Sequence, residues 1–156
     1  MTAREIELAV VKHFGVLHPY GGMGDNRNMI IPNFKGFYLH ECDLFIVTSS
    51  GYAWEVEIKT TLADLKADAK KWHKHESKLI RKLWFAAPMD VINEGGEEFI
   101  PAHAGIFEVL PMGYCLERRK PTDNPSARKL TDKERLHLGH IAAMRIWTDR
   151  RKHANR

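Results

Sequence analysis

Residues 43–59 combine an alternating pattern of hydrophobic and polar positions with several ionisable side chains. An apolar run over residues 44–48 and a second segment rich in aromatic and β-branched residues flank a Ser-Ser-Gly turn, which predicts a β-hairpin. In the second strand the period of two puts the apolar side chains on one face. Glu55, Glu57 and Lys59 then share the other face.

The length of the turn decides where Asp43 lies. A three-residue loop over residues 49–51, with Gly51 in a positive-φ conformation, sets Asp43 opposite Glu57. A two-residue turn would shift the register by one and send Asp43 to the apolar face. We expect the three-residue loop, which brings Asp43, Glu57 and Lys59 to one end of the hairpin. Two close carboxylates repel each other unless a divalent cation lies between them, and oxygen ligands favour Mg²⁺ or Mn²⁺.

Helical periodicity predicts three helices, each preceded by a hydroxyl residue with an acid three positions later. The first begins after Thr2, the second after Thr61 and the third after Thr131. Trp147 is expected on the apolar side of the third helix. The predicted helices cover residues 3–14, 62 to about 80, and 132–151.

Four further segments predict strands, so we expect an α/β fold with a mixed central β-sheet flanked by helices. The apolar run over residues 82–87 is typical of a central strand that is buried on both faces. Residues 116–129 contain two prolines and five basic residues, which predicts a mobile linker. The other predicted strands are residues 29–31, 104–110 and 114–118, the last two as a hairpin at the sheet edge.

Composition is that of one globular domain: 156 residues, of which 44% are hydrophobic and 28% charged. With neither a secretory signal nor a transmembrane run, the expected compartment is the cytoplasm. Cys42 and Cys115 stand alone in the sequence, which argues against a disulfide framework and against a zinc knuckle. A net charge of +4 permits a polyanionic partner but does not require one.

Asp43, followed on the next strand by Glu57-Ile58-Lys59, resembles the catalytic motif of the PD-(D/E)XK nuclease superfamily. GYAWEVEIKTTLADLKADAKKWHKH, RKLWFAAP and AGIFEV are similar to small bacterial and phage members close to the MmcB-like DNA-repair proteins, over roughly residues 38–110. The resemblance implies a restriction-endonuclease-like core and a single nuclease-like domain over residues 1–156 with a basic C-terminal helix. Cys42 stands where the motif name has proline, a residue that is often absent in the superfamily.

The resemblance also implies a Mg²⁺-dependent or Mn²⁺-dependent phosphodiesterase, with DNA as the expected substrate and endonucleolytic cleavage in DNA repair or phage DNA metabolism as the expected role. Asp43, Glu57 and the main-chain carbonyl of Ile58 would hold the metal, which lowers the pKa of a bound water. Lys59 would orient that water and offset charge in the transition state.

Many superfamily members contribute a glutamate from the first helix to the metal site. By helical phase we assign this catalytic role to Glu7, which lies near the edge of the apolar stripe, and keep Glu5 as the alternative. On the second predicted helix Lys66, Lys70 and Lys74 fall on adjacent turns of one stripe. They form either a nucleic-acid-binding track or a solvated face.

Two other functions stay open at this level. One is a catalytically silent nucleic-acid-binding domain of the same fold, and the other is a protein-interaction or structural role. The sequence pattern does not distinguish a DNA substrate from an RNA substrate, or an endonuclease from an exonuclease. It leaves the oligomeric state open too, including a homodimer.

Overall fold

The computed structural model describes residues 1–14, 28–37, 40–70 and 77–154. Within these ranges the chain forms a six-stranded mixed sheet with helices on both faces, which confirms the predicted α/β class. The strands are β1 (Met29–Phe34), β2 (Cys42–Val47), β3 (Ala53–Ile58), β4 (Ile80–Pro88), β5 (Gly105–Val109) and β6 (Cys115–Arg119). The helices are α1 (Ala3–His13), α2 (Leu62–Asp68), α3 (Met89–Asn93) and α4 (Asp132–Ala154), with a 3-10 turn at Gly96–Phe99.

The six strands lie in the sheet in the same order as in the chain. β1, β2 and β3 are antiparallel, β3, β4 and β5 are parallel, and β6 pairs antiparallel with β5 at the edge. Parallel neighbours need a crossover connection, and here α2 links β3 to β4 while α3 and the 3-10 turn link β4 to β5. Residues 83–87 of β4 are buried, as predicted for a central strand.

The turn between β2 and β3 has the predicted three residues. Gly51 has a φ of 87°, in the left-handed region that favours glycine. Leu44 lies opposite Val56, and the same register continued by one pair puts Asp43 opposite Glu57. The expected register of the hairpin is therefore confirmed.

One face of the sheet is covered by α1, whose residues Ile6, Ala9, Val10 and Phe14 pack against apolar side chains of β2 to β5. Thr2 and Glu5 form the predicted capping box of this helix. The partners on the sheet include Leu44, Ile46, Val56, Trp84 and Phe107.

The other face holds two separate apolar clusters. Leu138 of α4 packs in a cluster over β1 and β2, whereas Leu65 of α2 packs in a cluster over β4 and β5. Between them β3 contributes Ala53 to the first cluster and then polar side chains. Glu55 and Glu57 therefore lie in a polar strip between two apolar clusters.

α2 is shorter than predicted. It ends at Asp68, and Ile80, the expected helix end, is the first residue of β4. Backbone pairing of β4 with β3, which begins at Ile80, outweighs the weak helical pattern there, and Lys70 follows the helix end. Lys74 lies outside the described residues, so its predicted position stays a prediction.

α4 begins after the predicted capping box of Thr131 and Glu134. Trp147, expected on its apolar side, is 64% exposed, because the packed residues Leu138 and Ile141 belong to the first half of the helix. No helix in the described ranges has both the length and the apolar composition that a membrane span needs.

Residues 120–130, called the strap below, are not the mobile linker that the sequence predicted. Four of their backbone N–H groups donate hydrogen bonds of 2.8 to 2.9 Å to carbonyl groups elsewhere in the fold. These bonds join the strap to the turn after β2, to the start of β4 and to the loop before β5. The donors are Thr122, Asn124, Arg128 and Leu130, and the acceptors are His103, Arg81, Lys78 and Gly51 respectively.

Candidate functional site

Glu57 and Lys59 meet in the polar strip on the face that α2 covers. The Lys59 Nζ lies 2.8 Å from Oε2 of Glu57. Both side chains are almost fully buried: Lys59 is 9% exposed and Glu57 is 4% exposed. The period of two predicted that Glu57 and Lys59 share one face of β3. On that face they form a direct, buried ion pair.

Asp43 approaches the same place from β2. Its Oδ2 accepts a hydrogen bond of 2.7 Å from the N–H of Ile58. In an extended strand the N–H and C=O of one residue point toward the same neighbour, so the Ile58 carbonyl opens toward the Asp43 side as well. The carboxylates of Asp43 and Glu57 and this carbonyl therefore lie at one end of the hairpin.

Asp68 is a member of the site that the sequence pattern did not identify. Its Oδ1 lies 2.8 Å from the Lys59 Nζ, so the ammonium bridges two buried carboxylates. The position of Asp68 three residues after Leu65, within the apolar stripe of the helix, was the signal that it points inward.

His40 and Glu55 extend the site on the side away from Lys59. Glu55 is completely buried and its Oε1 lies 2.5 Å from Nε2 of His40. The same imidazole nitrogen lies 3.9 Å from Oε1 of Glu57. Glu55 is therefore a buried neighbour of the site, because its face of β3 is covered on both sides by the apolar clusters.

Burial controls the electrostatics of the site. It raises the pKa of Glu57 to about 7; Lys59 opposes this effect, while the charges of Asp43 and Glu55 add to it. Burial alone would lower the pKa of Lys59, but the charges and hydrogen bonds of Glu57 and Asp68 outweigh it and raise that pKa. The site therefore holds a charged lysine among an excess of carboxylates.

The donor set fits a divalent cation. Oε1 of Glu57 is buried and has no hydrogen-bond partner among the described residues, although its other oxygen binds Lys59. A buried polar atom of this kind is costly unless something else satisfies it. Oxygen ligands from Asp43, Glu57 and the Ile58 carbonyl match the preference of Mg²⁺ and Mn²⁺.

The structure does not bring the first-helix glutamates into this site. Glu7 is half-buried on α1, which packs on the opposite face of the sheet from Glu57. Glu5 is exposed and caps the helix through Thr2. Helical phase predicts which side of a helix faces inward, but it cannot predict which face of the sheet the helix covers.

Two of the three predicted nucleic-acid-binding lysines are described, and both are exposed. Lys66 lies on α2 with its Nζ 5.2 Å from the centre of the Phe99 ring. Lys70 lies just beyond the end of α2, so it is not part of the helix that carries Lys66.

Comparisons with known proteins support the fold alone. The chain matches no protein-family model and no curated protein sequence. It is similar to the solved structure of SPO1766, a protein of unknown function from Silicibacter pomeroyi, with a TM-score of 0.67 and 21% sequence identity. The match covers 96% of this chain and 92% of that one, so the two proteins share one overall architecture.

Proposed function

We propose that this protein is a metal-dependent nuclease that hydrolyses phosphodiester bonds in DNA, as an endonuclease of DNA repair or phage DNA metabolism. One observation carries the proposal: beside Asp43, Glu57 keeps a buried carboxylate oxygen that no described residue donates a hydrogen bond to, while its other oxygen binds Lys59. A divalent cation between the two carboxylates would satisfy that oxygen and offset their repulsion. Mg²⁺ or Mn²⁺ is the proposed ion.

Each residue of the site has a distinct role in this proposal. The cation, when bound, supplies Lewis-acid chemistry to water and to the phosphodiester. Asp43 and Glu57 hold it with the carbonyl of Ile58, whose N–H keeps the Asp43 carboxylate in place. Lys59, aligned by Glu57 and Asp68, offsets the negative charge that develops on the phosphate oxygens.

Lys66 and Lys70 are the proposed contacts to the DNA backbone, because both are exposed and α2 begins only three residues after Lys59. Lys74 is proposed to continue this track. The proposed compartment is the cytoplasm, since neither cysteine is in a disulfide.

The test is cleavage of plasmid, linear duplex and single-stranded DNA, and of RNA, with Mg²⁺, with Mn²⁺ and with a chelator. The parent protein should cleave DNA only with metal. Asp43→Asn keeps a hydrogen-bond acceptor for the Ile58 N–H and should lose cleavage by at least about 100-fold, because it removes a metal ligand. Lys59→Met should lose cleavage while DNA affinity stays within a few-fold, because one ammonium contributes little to the phosphate contacts.

Matched controls are Asp132→Asn and Lys133→Met, which make the same two changes at exposed positions of α4. Both should cleave like the parent. Circular dichroism of every variant separates lost chemistry from lost folding. Parent-like cleavage by folded Asp43→Asn and Lys59→Met would place the active site elsewhere.

A second candidate function is a nucleic-acid-binding domain of the same fold without turnover. It is favoured by the burial of the Lys59 and Glu57 side chains, which restricts the approach of a phosphate. Two cavities, of about 650 and 630 Å³, lie elsewhere and include neither residue. Metal-independent DNA binding by a parent protein that cleaves none of the substrates would favour this function over the nuclease.

A further inference from the structure

Three chemically different ligand groups meet beside Asp43 and Glu57. A ring nitrogen of His40, the Sγ of Cys42 and a carboxylate oxygen of Glu55 lie within 4.8 Å of one another. His40 precedes β2, Cys42 begins β2 and Glu55 belongs to β3, so the pairing of these two strands brings the three groups together. From this geometry we propose that His40, Cys42 and Glu55 form a separate metal site that binds Zn²⁺.

The donor types select the metal. Zinc is bound in proteins by imidazole nitrogen, thiolate sulfur and carboxylate oxygen at roughly 2.0 to 2.3 Å, which puts the ligand atoms of a tetrahedral ion about 3.5 Å apart. The separations here run from 2.5 Å between His40 and Glu55 to no more than 4.8 Å, so they lie on both sides of that value. Sulfur is a poor ligand for Mg²⁺, so this set and the oxygen set of Asp43 and Glu57 take different ions.

Burial and charge also suit a cation. Cys42 and Glu55 are completely buried, whereas the His40 side chain is 22% exposed and gives a path from solvent. Zinc would replace the present contact between His40 and Glu55, and the Cys42 thiol proton would be released to solvent as the zinc–sulfur bond forms. The carboxylates of Asp43 and Glu57 add negative charge beside the site.

This site does not depend on the proposed hydrolysis, because it uses other residues and its test needs no activity. Metal-free full-length protein is titrated with Co²⁺, a spectroscopic substitute for Zn²⁺, and then with Zn²⁺ by calorimetry. We expect about one ion per chain and a thiolate-to-cobalt charge-transfer absorption that Zn²⁺ abolishes and excess Mg²⁺ does not.

Cys42→Ala should lose this absorption and bind Zn²⁺ more weakly by on the order of 100-fold. Cys115→Ala is the matched control, since Cys115 lies on β6 at the far edge of the sheet, and should behave like the parent. Asp43→Asn should keep the absorption, which separates this site from the oxygen set. If Cys42→Ala does not fold, His40→Ala replaces it as the test variant, because it changes only a partly exposed residue. It too should bind Zn²⁺ more weakly than the parent.

Three results would each overturn the proposal. The first is a parent protein without the charge-transfer absorption. The second is Zn²⁺ binding of parental strength by folded Cys42→Ala or His40→Ala. The third is loss of the absorption in folded Asp43→Asn.

Discussion

Glu57 lies in surroundings that disfavour its negative charge. Its carboxylate is buried beside other acids, and Lys59 satisfies only one of its two oxygens. Folding raises the pKa of this carboxyl to about 7, so Glu57 binds a proton more tightly in the folded protein than in the unfolded chain. Among the described residues, the charged and titratable groups near it include Asp43, Glu55, Lys59, His40 and Cys42.

The first prediction concerns stability against pH in the presence of a chelator. As pH rises from 5 to 8, Glu57 should lower the free energy of unfolding, by up to about 3 kcal/mol, because ionisation is more costly in the folded state. Urea unfolding of the parent and of Glu57→Gln at pH 5 and at pH 8 measures this effect. The free energy of unfolding of the parent, relative to that of Glu57→Gln, should be lower at pH 8 than at pH 5.

Glu134→Gln is the control for this prediction. Its hydrogen bond from Arg128 lowers the pKa of Glu134 to about 2, so the stability it contributes is lost only as pH falls below about 4.5. Its difference from the parent should not change between pH 5 and 8. An equally constant difference for Glu57→Gln would contradict the raised pKa.

The second prediction concerns Asp68, which completes the ion-pair bridge of Lys59. Asp68→Ala should lower the free energy of unfolding by about 3 kcal/mol, because it leaves part of a buried charge uncompensated. Asp64→Ala, on the exposed side of the same helix, removes hydrogen bonds that the carboxylate accepts from the N–H and hydroxyl of Thr60 and should cost no more than about 1 kcal/mol. Equal losses in urea unfolding would mean that the buried bridge contributes nothing beyond a surface interaction.

Only part of the site could be predicted from the sequence. Asp43, Glu57 and Lys59 could be placed together because one turn determines their register and alternation determines their face. Asp68 could have been suspected from its place in the apolar stripe of α2. The contact of His40 with Glu55 could not, since His40 precedes β2 and no periodicity determines its orientation.

At the scale of elements, the bounds of α2 determine where Lys66 and Lys70 lie relative to the site. It starts three residues after Lys59 and ends at Asp68, so Lys66 is helical and Lys70 is not. In the described part of this segment, both lysines are exposed. The elements that local chemistry predicted best were those with a capping box or a turn glycine, because these signals involve only near neighbours in the chain.

The third prediction tests the proposed DNA track. Replacing both Lys66 and Lys70 with glutamine should reduce the slope of log affinity against log salt by roughly 1.5 to 2 units, since two phosphate contacts are lost. Binding of one DNA duplex over a series of salt concentrations measures the slope. Cleavage at saturating DNA should persist, because the proposed metal ligands are unchanged.

Its control is the double variant Lys12→Gln and Lys133→Gln, with two exposed lysines on α1 and α4. It removes the same charge and should keep the parental slope. Equal slopes for both double variants would mean that the lysines of α2 do not contact DNA.

At the scale of the whole molecule, the strap joins parts of the fold that are far apart in sequence. Asn124 is its central anchor: its side-chain amide donates to the carbonyls of Ser77 and Ile80, while its N–H donates to Arg81. The strap thereby links the start of β4 to the segment that leads into α4. Composition alone predicted mobility here because hydrogen bonds to distant carbonyls leave no local pattern.

The fourth prediction follows from these bonds. Asn124→Ala leaves two carbonyls without their donor and should lower the free energy of unfolding by about 1 to 3 kcal/mol. Asn93→Ala is the control, because that exposed asparagine bonds only to the side chain of Arg118 and should cost about 0.5 kcal/mol or less. Urea unfolding compares the two, and equal costs would mean that the strap adds little to stability.

The sequence by itself determined the α/β class, the hairpin register and the meeting of Asp43, Glu57 and Lys59. These follow from alternation, helix caps and one glycine turn, which act over a few residues. Only the tertiary structure decided that Asp68 binds Lys59, that His40 binds Glu55 and that α1 carries Glu7 to the opposite face. Such partners are chosen when distant segments pack together, and that choice depends on the fit of whole surfaces rather than on any local pattern.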